Sequence, residues 1–206
     1  MITIVDYGMG NLRSVAKAFE SLGIPARVTQ DPQEVASASK LVLPGVGAFQ
    51  DAIRNLEQFH LTEPIRTFLE KEKPFLGICL GLQLLFTESE EGGLSKGFGV
   101  LNGRVRRFPE GPLKVPHIGW NKVQRIADSV ERGECPLLKG IPDGSYFYFV
   151  HSYYVDPVEP SVIAAQTDYG TPFTSIVWKE NLIATQFHPE KSQQFGLKLL
   201  ENFARF

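Results

Sequence analysis

Over the first ninety residues, short apolar runs alternate with stretches of helical spacing. "ITIVD" (2–6) is a β-branched run of the kind found in buried parallel strands. Beyond "YGMG", Leu12, Val15, Ala16, Phe19 and Leu22 recur at helical intervals, with Asn11 placed to cap the start and Gly23 to stop the turn. "PARVTQ" reads as a second strand, and Asp31-Pro32 opens a short helix in "DPQEVASA". A third strand, "KLVLPG", stops at Pro44-Gly45; helical stretches follow at 48–58 and 62–71, and "PFLGI" supplies a fourth strand. "LGLQLLFTE" (80–88) continues as a helix. Strands alternating with helices predict an open, mostly parallel sheet with helices on both faces.

From about residue 97 the pattern changes to strands punctuated by turn residues. "VLNGRVRRF", "NKVQRI", "SYFYFVHSYYV", "VIAAQTDYG" and "FTSIVWKENLIATQFH" are strand-like, with "WKEN" as a hairpin turn. This half predicts an antiparallel extension of the sheet. "SQQFGLKLLENFARF" closes the chain as an amphipathic helix. With no internal repeat, low-complexity tract or long linker, residues 1–206 read as a single α/β domain.

Composition adds exclusions. Charged residues make up 21% of the chain and the formal net charge is −2, which gives no general attraction to nucleic acid or an anionic membrane. No apolar run reaches transmembrane length, and "MITIVDYGMG" lacks the basic region of a signal peptide. The two cysteines, Cys79 and Cys135, stand far apart with no metal-type spacing, so a reduced, cytoplasmic setting is expected and no metal or organic cofactor is indicated.

The chemistry concentrates at "FLGICLGLQLLF" (75–86). A strand, a Gly-Ile-Cys-Leu-Gly corner and a helix form the pattern of a nucleophile elbow, which needs small residues two positions either side of a strained central residue. Gly77 and Gly81 meet that need around Cys79. A helix N-terminus favours a thiolate, and the N–H of Leu80 points toward developing negative charge. Among four histidines, His188 in "QFHPEKS" has Glu190 two residues on, so in extended backbone both side chains share a face. The carboxylate would orient the ring and leave its other nitrogen for the thiol. "LPGVGAF" (43–49), at the carboxyl end of the third strand, offers backbone N–H groups near Val46 and Gly47 as further oxyanion donors. Read alone, that segment fits a plain strand-to-helix turn equally well.

"PGVGAF", "GICLGLQ" and "HPEKS", in this order, resemble the class I glutamine amidotransferases, whose glutaminase domain uses a Cys-His-Glu triad. "DYGMGNLRSV", "PHIGWN" and "YFVHSYY" narrow the resemblance to the glutaminase subunits of imidazole glycerol phosphate synthases, over residues 3 to about 192. The resemblance implies a triad of Cys79, His188 and Glu190, an oxyanion hole from Leu80 and the 45–47 loop, and a glutamine site that includes Gly45, Gln83, His151, Ser152 and Tyr153. It also implies a heterodimer in which a (β/α)8-barrel cyclase subunit receives the ammonia, with Asn11, Trp120, Tyr148 and Lys191 toward the partner.

Other readings are weaker. Gly8 and Gly10 match two glycines of a dinucleotide fingerprint, but Arg13 stands where the third should be. Arg104, Arg106 and Arg107 suit a solvated strand face, and Cys135 a structural thiol. Two rivals stay open: a glutaminase subunit feeding a different synthase, and a partner-independent hydrolase built on the same elbow.

Overall fold

The computed structural model describes residues 1–126 and 133–206. Its larger sheet has nine strands. β1 (Ile2–Val5), β2 (Ala26–Thr29), β3 (Leu41–Gly45), β4 (Phe75–Cys79) and β13 (Leu182–Thr185) form a parallel block in the order β2-β1-β3-β4-β13. The sheet then continues antiparallel through β12 (Pro172–Lys179), β11 (Ile163–Asp168), β8 (His117–Arg125) and β9 (Ser145–His151). The parallel strands β1, β3, β4 and β13 are wholly buried apart from the sheet's ends, as their uninterrupted apolar runs require. The expected mixed α/β architecture with an antiparallel extension is therefore the one observed.

The helices carry the caps read from sequence. Asn11 accepts from Ser14 N at the start of α1 (Leu12–Ser21), and Asp31 accepts from Gln33 N before α2 (Pro32–Ser37). α3 (Phe49–Gln58) and α4 (Thr62–Glu70) link β3 to β4, and α6 (Gln193–Arg205) follows the histidine turn. Two apolar cores result, one around Phe19, Phe149, Phe187 and Phe203, the other around Phe49, Phe68, Leu82 and Phe86.

Three expectations need correction. The helix after Cys79 is only α5 (Leu80–Gln83); the chain then turns and runs into β5 (Phe86–Ser89), not helix to residue 88. β5 pairs with β6 (Ser95–Lys96) and β7 (Leu101–Arg107), and this pairing overrides an apolar run that fits either state. "SYFYFVHSYYV" breaks at Ser152 into β9 and β10 (Tyr153–Pro157), and β10 joins a separate four-stranded sheet, β10-β7-β5-β6. The "NKVQRI" strand begins earlier, at His117.

Candidate active site

β1 has β2 on one side and β3 on the other, so the strand order reverses there. Crevices at the carboxyl ends of strands near such a reversal are where open α/β sheets bind ligands. β3 ends in Gly45, directly paired with Cys79 at the end of β4. β13 runs beside β4 and leads into the turn that carries His188.

Cys79 has φ 54° and ψ −105°, a conformation costly for a residue with a side chain. The flanking glycines account for its being possible. A methyl group on Gly81 would lie 1.8 Å from Leu43 O, and one on Gly77 would lie 2.9 Å from both Ala184 Cβ and Gly81 O. Neighbouring backbone cannot yield by that much, so the elbow needs both glycines. Cys79 is 6% exposed and free, at the floor of a cavity of about 470 Å³.

Behind the thiol, His188 Nδ1 donates to Glu190 Oε1 at 2.8 Å, and both side chains are buried. His188 Nε2 is buried with no hydrogen-bond partner, as is Glu190 Oε2. Burial pulls the imidazole pKa down, but the charges of Cys79 and Glu190 and the carboxylate hydrogen bond outweigh it and raise it to about 10. An imidazolium beside the sulfur is the charge state this arrangement favours. Burial pushes the thiol of the other cysteine, Cys135, up to about 11.

The cavity brings together Val46, Gly47, Cys79, Leu80, Gln83, His151, Ser152, Tyr153 and Lys191, all singled out from sequence. Gly45 lies beneath it, where a methyl group would lie 2.1 Å from the Tyr7 hydroxyl. That hydroxyl is buried and unpartnered, and burial followed by the Cys79 charge pushes its pKa upward, so it stays a neutral phenol. His151 offers the cavity no free ring nitrogen: Nδ1 is 2.8 Å from Tyr153 O and Nε2 is 3.0 Å from His117 Nδ1. Its ring packs against Phe108, Phe149 and Phe173.

Trp120 and Tyr148 are cross-strand partners on the outward face of β8 and β9, with Trp120 45% exposed beside Ile118 and Tyr146. Lys191 joins this face to the cavity, its Nζ 6.0 Å from the Tyr148 ring centre. Asn11 caps the start of α1. Tyr148 also holds the histidine turn through its backbone: its carbonyl accepts from His188 N at 2.9 Å, and its N–H donates to Ser192 Oγ at 3.0 Å. Ser192 Oγ in turn donates to His188 O at 2.6 Å.

Two cavity-side residues escaped the sequence reading. Glu91 lines the cavity and accepts from Phe49 N at 2.9 Å, capping α3 as the 45–48 loop leaves it; nothing in "ESEEGG" distinguishes it from a solvated acidic run. Gln186 is fully buried, with its amide nitrogen 3.7 Å from Cys79 Sγ. Its signal was present, since Gln186, His188 and Glu190 follow one another at intervals of two. Among the described residues, no group of three or more His, Cys, Asp or Glu is arranged to hold a metal ion, and no helix is long and apolar enough to cross a membrane.

The chain has full-length relatives among known proteins. The family model described as "Glutamine amidotransferase class-I" matches residues 3–205. The imidazole glycerol phosphate synthase subunit HisH of Syntrophotalea carbinolica is 56% identical, with 98% of each chain covered. The HisH subunit of Aquifex aeolicus is 54% identical, over 98% of this chain and 95% of that one. Among solved structures, a glutamine amidotransferase aligns with TM-score 0.75 at 18% identity, covering 100% of this chain and 98% of that one. PurLQS from Thermotoga maritima aligns with TM-score 0.74 at 16% identity, covering 99% and 97%, a likeness of fold. By family match and by full-length relatives at more than half identity, the chain belongs to the class I glutamine amidotransferase family.

Proposed function

We propose that the chain is the glutaminase subunit of an imidazole glycerol phosphate synthase, with residues 1–206 acting as one glutaminase domain in the cytoplasm. The observation that carries the reading is a strained Cys79 at a cavity floor with the buried His188–Glu190 pair behind it. The Cys79 thiolate attacks the side-chain amide carbon of glutamine. The resulting oxyanion is held by backbone N–H groups of Leu80 and of Val46 or Gly47. His188 gives its proton to the departing ammonia, leaving a γ-glutamyl thioester. It then takes a proton from water as the water attacks that thioester, and glutamate leaves with the thiolate restored. Gln83 and the His151-Ser152-Tyr153 segment form the wall against the substrate, and the Glu91 carboxylate suits its ammonium group.

The HisH relatives are named as subunits of a synthase, which implies a partner. We assign to that partner the cyclase role, a (β/α)8 barrel in a heterodimer that consumes the ammonia to form imidazole glycerol phosphate and an aminoimidazole carboxamide ribonucleotide. The outward aromatic face around Trp120 and Tyr148, with Lys191 at its edge, supports a protein contact there. The test is glutamate release from glutamine by the chain alone and with a cyclase subunit carrying its nucleotide ligand. Strong activation by the cyclase, abolished by Cys79→Ala, is expected. No glutamate with the partner demonstrably bound would overturn the assignment. Full activity without any partner would favour the independent hydrolase.

A further inference from the structure

A set of buried amides and imidazoles, of which Gln83 and His151 also form part of the cavity wall, connects to the nucleophile. Gln186 is 0% exposed, and its Nε2 lies 3.7 Å from Cys79 Sγ. Which end of an amide faces a neighbour follows from the hydrogen bonds around it. The deciding group here is the backbone carbonyl of Tyr153, which can only accept. Gln83 meets it at 3.1 Å and must present nitrogen; that same nitrogen is 3.3 Å from Gln186 Oε1. Gln186 therefore turns its oxygen toward Gln83 and its N–H toward the sulfur.

The same carbonyl orders the histidines. His151 Nδ1 is 2.8 Å from Tyr153 O and must carry a proton, so in the neutral ring Nε2 is an acceptor. It takes the proton of His117 Nδ1 at 3.0 Å, which leaves His117 Nε2 to accept from Asn121 Nδ2 at 3.3 Å. Asn121 Nδ2 also donates to Asp168 O at 2.8 Å. Every group from Asn121 to Cys79 thus has one consistent donor and acceptor assignment. Burial draws His117 to about 4 and His151 to about 3, so both rings stay neutral near pH 7, as this order of bonds requires.

We propose that Gln186 is a further catalytic residue, an N–H donor to the Cys79 thiolate, and that His117 and His151 are positioning residues that hold it through Tyr153 O and Gln83. The inference rests on the nucleophile reading given above. A thiolate buried in an apolar elbow has lost most of its water, so each remaining donor stabilises it strongly. Gln186 supplies a neutral donor to the sulfur in its two thiolate states, before attack on the amide and again as glutamate leaves. The ionisable groups facing the sulfur are His188 and Tyr7, with Glu190 behind His188.

The test compares the unmodified chain with Gln186→Leu and His117→Leu. Two readouts serve: the pH profile of Cys79 alkylation by iodoacetamide, located by mass spectrometry, and glutaminase kinetics with the cyclase partner. Gln186→Leu should move the alkylation midpoint up by about one to two pH units. It should lower kcat roughly ten- to a hundredfold while leaving KM nearly unchanged. His117→Leu should shift the midpoint in the same direction by less. A packing role alone would leave the midpoint where it is. An unchanged midpoint in Gln186→Leu, with the unmodified chain active, overturns the inference and spares the nucleophile assignment. Inactivity of the unmodified chain with bound partner overturns both. Should Gln186→Leu not fold, NMR of the unmodified chain decides: the Gln186 side-chain amide protons should shift with the alkylation midpoint, and indifference to pH overturns the proposal.

Discussion

At Cys79 the backbone is held in a conformation that glycine enters freely and that a residue with a Cβ enters only under compulsion. Cys79→Ala keeps that compulsion and loses only the sulfur, whereas Cys79→Gly releases it. The glycine variant should therefore unfold at higher urea than the alanine variant, by about 1 kcal/mol after allowing for glycine's greater chain entropy. Equal midpoints would mean that the elbow stores no strain. This residue was legible from sequence because its neighbours are diagnostic: Gly77 and Gly81 sit where side chains would strike backbone. Gln186 was legible only in part: its two-residue spacing from His188 was there to read, but its contact with Cys79 follows only once β13 and β4 lie side by side.

The histidine turn is fastened at the level of the element. Ser192 takes the N–H of Tyr148 and gives its own proton to His188 O, so one hydroxyl joins β9 to the segment bearing the general base. Ser192→Ala removes the acceptor of the Tyr148 N–H and one of two donors to His188 O, which keeps Lys191 N at 3.1 Å. A loss of about 1–3 kcal/mol in stability is expected, read from denaturant midpoints. Glutaminase kcat should fall with it, because His188 is no longer held. Ordinary activity in a destabilised variant would show that the turn is fixed by packing alone. The parallel strands were readable because wholly apolar runs between helices admit few alternatives. The run 80–88 was misread, because "LGLQLLF" satisfies a helix as well as a helical turn entering a strand, and only pairing of β5 with β6 and β7 chooses. The break at Ser152 was hidden for the same reason, since both sides are strand-forming and differ only in the sheet they join.

For the whole molecule, the buried histidine pair sets a limit on acid stability. His117 and His151 hold folded pKa values of about 4 and about 3, below the 6.5 of an unfolded histidine. At these two rings the unfolded chain binds more protons than the folded one between pH 6.5 and those values, so their contribution falls as pH falls and is complete above 6.5. His188, raised to about 10, acts in the opposite sense, its contribution present below 6.5 and lost toward 10, and offsets part of the decline. His117 and His151 should each cost up to about tenfold in the folding equilibrium per pH unit across their window. Urea midpoints measured from pH 7 to 5 should decline, and His117→Phe should flatten the decline. A pH-independent midpoint above pH 5 would contradict buried neutral rings.

The cradle, the nucleophile and the base leave the sheet from β3, β4 and β13, three neighbours in one parallel block, while the exposed aromatics lie on β8 and β9 at its far edge. Nucleophile and base thus stand on other strands than the exposed aromatics, while the inward-facing His117 and His151 share β8 and β9 with them. The outward side chains of β8 and β9 can change without touching Cys79, His188 or Glu190. Tyr148 is where that freedom ends. Its side chain belongs to the surface and its peptide groups to the histidine turn, so drift in one is answerable to the other.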